Sequence, residues 1–153
     1  MGMTGHADAA PPLQGLRVLE IGHFVAAPFC ARLLGDLGAD VIKVEPLGGD
    51  PVRQWGEQID GHSLWWSIHG RNKRSVTLDV PRPEGLEAVL RLIDSADVVI
   101  ENFSPRVFDN FGITWDHVHA RNPSAIVVRM PAFGLSGPWR DRTAFAPTIE
   151  QVS

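Results

Sequence analysis

The 153 residues carry 14 basic and 18 acidic side chains, a net charge of −4, with 44% hydrophobic content. That balance fits one globular domain with a core, and the lack of a basic block argues against a nucleic-acid partner. No apolar run is long enough to cross a bilayer, and the single cysteine, Cys30, excludes an internal disulfide and fits a reducing cytoplasm.

Residues 1–12 (MGMTGHADAAPP) have neither an apolar h-region nor a basic start. They read as a disordered lead-in rather than a signal peptide. Residues 13–153 then form one domain. Arg17 to Ile21 is short, branched and apolar, which predicts a strand. Gly22 to Pro28 is a tight connection. Phe29, Leu33, Leu34 and Leu37 have helical spacing, and Gly38 is a fitting stop. Val41 to Val44 predicts a second strand, closed by Glu45 and Pro46. A strand, a helix and a strand in about thirty residues make a right-handed βαβ unit with parallel strands. Ligands of such sheets sit beyond the carboxyl ends of the strands, so Gly22 to Pro28 and the residues after Glu45 are the ones to follow.

Pro46 to Pro51 holds two glycines and two prolines and reads as a loop. Val52 to Ile68 carries Trp55, Trp65 and Trp66 without clear periodicity, which suits an irregular cover over a core or an interface. A third strand is expected at 75–79. A helix follows from Pro81, with Glu84 favouring its start and Leu86, Val89, Leu90 and Ile93 as its buried stripe. A fourth strand is expected at 97–101, short helical pieces at 107–111 and 115–120, and a fifth strand at 125–130. Pro131 to Thr143 is loop, and Thr148 to Ser153 resembles the first turn of a helix. Strands alternating with helices predict an α/β fold with a doubly wound, mostly parallel sheet. A helix with one turn has no local reason to stop at Ser153, so the chain reads as a fragment of a larger fold.

The chemistry offered by these residues is limited. Gly22-His23-Phe24-Val25-Ala26-Ala27-Pro28 has one glycine where a dinucleotide fingerprint would want three. Lys43, Arg53, Arg71, Lys73, Arg74 and Arg106 fall at strand ends or in the following loops. They form either a rim for a phosphorylated ligand or a solvated face. Asn102 and Phe103 follow the fourth strand, where an amide and a ring suit a base or a pantetheine arm, or simply a turn and a core ring. None of the six histidines has metal-ligand spacing, and Cys30 inside a helix is by default an inert thiol. No metal site is expected.

Ordered motifs add a resemblance. Leu16 to Glu20, Val25 to Phe29, Leu34 to Glu45, Asn72 to Ser75, Glu101 to Pro105 and Phe133 to Trp139 resemble, in that order, the opening of class III CoA-transferases. This is the family of formyl-CoA and carnitine CoA-transferases and of α-methylacyl-CoA racemase. The resemblance implies a Rossmann-like domain built from both chain ends, a small second domain and an interlocked dimer, with this chain as the N-terminal part. It implies CoA, carried as acyl-CoA, and a carboxylic acid as partners in the cytoplasm. It also implies CoA contacts at Val25 and Ala26, at Asn72, Lys73 and Arg74, and at Asn102 and Phe103, with Arg106 in the basic rim facing the phosphates. The implied chemistry passes through an anhydride and a CoA thioester on an enzyme aspartate. That aspartate closes a segment reading roughly Arg-Asp-Arg-Pro-Gly-Tyr-Asp, whereas this chain reads Arg140-Asp141-Arg142-Thr143-Ala144-Phe145-Ala146. Ala146 stands in its place. Glu150, about one helical turn on, is the nearest replacement carboxylate. A subunit paired with a catalytic partner, and a CoA-binding module without catalysis, are the alternatives. A racemase-like activity is less favoured, because no histidine lies between Arg121 and Ser153.

Overall fold

Arg17–Ile21 forms strand β1, whose last four residues are all buried. Burial on both faces is what a central parallel strand requires, and it explains the unbroken apolar run. The computed structural model describes residues 10–152. Most of the predicted lead-in therefore lies outside the described residues, and Pro11 rests where a side chain on Gly38 would otherwise go.

Helix α1 spans Ala26–Asp36, three residues ahead of the expected start. Pro28 is tolerated because N–H groups in the first turn have no helical partner. The expected stripe is displaced as well. Ala27, Pro28, Ala31 and Gly35 face the sheet, while Phe29, Leu33 and Leu37 are exposed. Small residues bring the helix close to the strands and turn the bulky ones outward. The helix ends at Gly38, whose φ of +99° is the left-handed cap that glycine adopts without strain. Strand β2, Asp40–Glu45, follows.

The stretch expected to be irregular contains short elements. A 3₁₀ turn at Pro51–Gln54, strands β3 (Gln58–Ile59) and β4 (His62–Ser63), and helix α2 (Leu64–His69) precede strand β5 at Lys73–Thr77. Ser63 caps α2 by accepting the Trp66 N–H, a local signal that sequence periodicity does not register. Helix α3 (Pro83–Ile93), strand β6 (Val98–Glu101), helices α4 (Pro105–Asn110) and α5 (Trp115–Arg121), strand β7 (Ile126–Arg129) and helix α6 (Ala146–Glu150) complete the order.

The large sheet runs β5-β2-β1-β6-β7 with every pairing parallel. One face packs Val18, Val41, Val98 and Ile100 against Ala27 and Ala31 of α1. The other packs Leu19, Ile21, Val44 and Val99 against Val89 and Ile93 of α3, Phe108 of α4 and Val118 of α5. The doubly wound α/β architecture expected from the sequence is thus present. The order reverses between β1 and β6, the topological switch point where ligands of such sheets bind.

Candidate functional site

The crevice at the switch point is built by the turn after β1 and the turn after β6. Asn102 ties the two together. Its Oδ1 accepts the His23 N–H at 3.0 Å, and its Nδ2 donates to the His23 carbonyl at 2.8 Å. Gly22 is there because of this approach. A Cβ on it would lie 2.5 Å from Asn102 Oδ1 and 2.4 Å from Ala27 Cβ. Phe24 takes a φ of +65°, an outlier for an aromatic residue. Its ring is held by Trp55 at 5.1 Å and Phe145 at 5.2 Å between centroids. Phe103 meets His23 edge-on at 5.0 Å. A cavity of about 210 Å³ opens beneath, lined by Ile21, His23, Val44, Leu78, Phe103 and Phe111 among others.

Beside the turn lies a buried cluster of charges. Lys43 Nζ meets Glu20 Oε1 at 2.5 Å and Asp50 Oδ2 at 2.8 Å, with all three side chains fully buried. Lys73 Nζ meets Glu20 Oε2 at 2.7 Å. Two cations and two carboxylates balance, which is what makes their burial tolerable. Burial pushes the Lys73 ammonium down, and Glu20 works against that shift. Burial also pushes His23 down, with Asp50 opposing it. Next door, Arg53 grips both oxygens of Glu45 at 2.7 Å, Ser75 donates to the same carboxylate, and the Asp50 N–H adds a bond at 2.8 Å. Burial alone would raise the pKa of Glu45, but these donors outweigh it and hold it at about 2. On β6, burial raises Glu101, while Arg129 at 2.7 Å and the Phe103 N–H at 2.7 Å pull the other way.

The structure gathers some predicted site residues and separates others. Asn102 and Phe103 meet the turn at His23, Val25 and Ala26 follow two and three residues on at the start of α1, and Arg106 is exposed on the first turn of α4. Asn72 and Arg74 are elsewhere. Asn72 donates to Asp36 at the far end of α1, and Arg74 forks onto Asp40, the first residue of β2. Both side chains are thus bound at the amino ends of the strands, about 15 Å along α1 from the crevice. The expected basic rim is corrected too. Lys43 is buried, Lys73 is spent on Glu20 and the Pro28 carbonyl, and Arg53 is held between Glu45 and the Trp66 ring, 3.7 Å from its centroid. Sequence reading missed Glu20 and Asp50. The signal was there: Glu20 and Lys43 interrupt two apolar strands and fall opposite each other in the parallel register.

Ala146 opens α6, directly after Phe145, whose ring touches Phe24, so it lies near the turn. Glu150 ends the same short helix and is exposed. A second cavity, of about 410 Å³, lies along α6 and is lined by Phe133, Trp139, Arg142, Thr143, Thr148 and Val152 among others. Among the described residues no group of three or more His, Cys, Asp or Glu is placed to hold a metal, and no helix is long and apolar enough to cross a membrane.

Comparison with known proteins completes the picture. The family described as CoA-transferase family III matches residues 13–153. The succinyl-CoA–D-citramalate CoA-transferase of Chloroflexus aurantiacus is 49% identical over 92% of this chain and 36% of its own length. The beta subunit of succinyl-CoA–L-malate CoA-transferase from the same organism is 47% identical over 92% of this chain and 35% of its own. The crystal structure of a CAIB/BAIF family protein from Brucella suis superposes with a TM-score of 0.88 at 38% identity, covering 94% of this chain and 39% of that one. The chain spans about a third of the length of these relatives. It belongs to CoA-transferase family III.

Proposed function

We propose that this chain supplies the CoA-binding part of an acyl-CoA:carboxylate CoA-transferase, a cytoplasmic enzyme whose whole form is an interlocked dimer or a hetero-oligomer. The observation that carries the reading is the pair of bonds between Asn102 and His23, two residues before Val25, with Phe103 against the His23 ring, at the switch point of a family III sheet. The cavity of about 210 Å³ there is below the roughly 300–1,000 Å³ usual for drug-sized ligands, so it takes one portion of CoA rather than the whole. In this reading Arg106, exposed at the start of α4, meets a phosphate. Succinyl-CoA is the donor to test first, because two relatives carry it in their names.

The reaction needs a carboxylate nucleophile. It attacks the acyl carbonyl of the donor and expels CoA as thiolate, leaving a mixed anhydride. The thiolate then attacks the enzyme's carboxyl carbon, releasing the donor acid and forming an enzyme–CoA thioester. The acceptor carboxylate reverses both steps, and the enzyme carboxylate is regenerated. The methyl of Ala146 cannot do this. In this reading Glu150 does, since residues four apart share a helix face and Glu150 follows Ala146 by four. The second reading, a subunit whose partner provides the carboxylate, is favoured by the exposure of Glu150 and by a relative that is itself a beta subunit. The test incubates the full-length protein with succinyl-CoA, traps with hydroxylamine or borohydride, and maps the modified carboxylate by mass spectrometry. Modification at Glu150 is expected. Bound succinyl-CoA with no modified carboxylate in this chain refutes the role of Glu150 and leaves the carboxylate to residues beyond this chain or to a partner subunit.

A further inference from the structure

The charge cluster beside the crevice has a geometry that ion pairing alone does not demand. Glu20 is fully buried in β1 and divides its two oxygens between two lysines. Lys43, held by Oε1, also donates to the Gly22 carbonyl at 2.8 Å. Lys73, held by Oε2, also donates to the Pro28 carbonyl at 2.7 Å. Gly22 opens the turn after β1, and Pro28 lies in the first turn of α1, just past the other end of that connection. Asp50 braces Lys43 from the other side at 2.8 Å.

We infer that Glu20, Lys43 and Lys73 form a buried clamp that fixes both ends of the Gly22–Pro28 turn, and that Lys73 is a positioning residue rather than a phosphate ligand. The physical argument rests on what the turn must tolerate. Phe24 is held in a left-handed conformation and the turn has one glycine, so its shape is not one the sequence adopts unaided. Asn102 pins its middle at His23. The lysines pin its ends, and a charge-assisted donor onto a backbone carbonyl is stronger than a neutral one. Lys73 comes from the outermost strand, β5, so the clamp also ties the edge of the sheet to the central strand. Its ammonium is almost completely shielded and already spends two donors inside the protein. A CoA phosphate would have to reach its one remaining donor through that shielding.

The inference rests on the CoA reading only for its consequence, since the clamp itself can be tested without ligand. Hydrogen exchange on the full-length protein compares wild type with Lys73→Met. A second variant, Glu20→Gln combined with Lys73→Met, removes one charge of each sign and keeps the volumes, in case the single change does not fold. The clamp predicts exchange about tenfold faster or more at the amides of residues 22–27, the size of effect expected for one lost hydrogen bond, with the buried α3 amides of Val89 and Ile93 unchanged. It also predicts that CoA and pantetheine, which carries none of CoA's phosphates, lose affinity by the same factor. Unchanged exchange at 22–27 in a folded variant overturns it. So does equal acceleration in α3, which would mean a general loss of stability. A loss confined to CoA, with pantetheine unaffected, makes Lys73 a phosphate ligand and overturns the positioning role. If wild type binds no CoA at all, the proposed function falls while the exchange comparison still decides the clamp.

Discussion

Gly22→Ala is the most direct probe of the crevice. The added methyl would sit 2.4 Å from Ala27 Cβ and 2.5 Å from Asn102 Oδ1, and neither neighbour can easily give way. Ala27 is fully buried in the first turn of α1, so moving it means moving the helix. Asn102 is softer, but rotating it away breaks both of its bonds to His23. Two hydrogen bonds at about 1 kcal/mol each come to about 2 kcal/mol. Residual crowding adds about 1–3 kcal/mol. The stiffer unfolded chain of alanine returns about 0.4–1 kcal/mol. The net expectation is a loss of about 3 kcal/mol, or about 6–12 °C in melting temperature for a domain of this size. Gly48→Ala is the control. No atom lies within 4 Å of its added Cβ, and it should fall within about 0.5 kcal/mol of wild type. Calorimetric melting and urea unfolding of both variants, with CoA titration of each, give the comparison. A Gly22→Ala protein that melts within about 2 °C of wild type and binds CoA normally would refute the claim that Asn102 and Gly22 shape this crevice.

The remaining predictions concern the two carboxylate–arginine pairs that sequence alone does not distinguish. Arg74→Ala should leave CoA affinity unchanged and cost at most about 1 kcal/mol, because its pair with Asp40 is exposed and lies at the amino ends of the strands. A clear loss of CoA affinity in titration would return Arg74 to the site. Glu45 behaves differently. Its folded pKa of about 2 is below the ordinary 4.5, so the stability it confers is fully present above pH 4.5 and is lost as pH falls toward about 2. Wild type should therefore approach the stability of Glu45→Gln over that window in urea unfolding, and a constant gap between the two would contradict the assignment.

The large elements were legible because periodicity and length decide them. The five parallel strands appear close to their expected places, each within about two residues, since buried runs such as Val98–Glu101 have no alternative face to present. The segment 51–69 was not legible. Its 3₁₀ turn, hairpin and short helix are fixed by single side chains, such as Asp50 accepting the Val52 N–H and Ser63 the Trp66 N–H. Such caps are contacts rather than patterns. The face of α1 was misread for a related reason. Spacing identifies a stripe, but the need for close approach to the sheet selected the alanine side over the leucine side.

The site shows the same division more sharply. Asn102 and Phe103 were singled out because they follow a strand end, which topology alone makes significant, and the structure puts both against His23 of the turn after β1. The directions of the basic side chains were not legible, because sequence gives a charge but not where it points. Lys43 and Lys73 both fall on strands next to loops, yet the parallel register sets Glu20 opposite Lys43, and α1 crosses above to offer the Pro28 carbonyl to Lys73. Once a carboxylate is buried in β1, cations from the neighbouring strands must turn inward to neutralise it, because an unpaired buried charge costs far more than a solvated lysine gains. Glu20 therefore determines where two of the predicted phosphate ligands point. A glutamate inside an otherwise apolar central strand is the feature that reassigns them from the surface to the support of the turn.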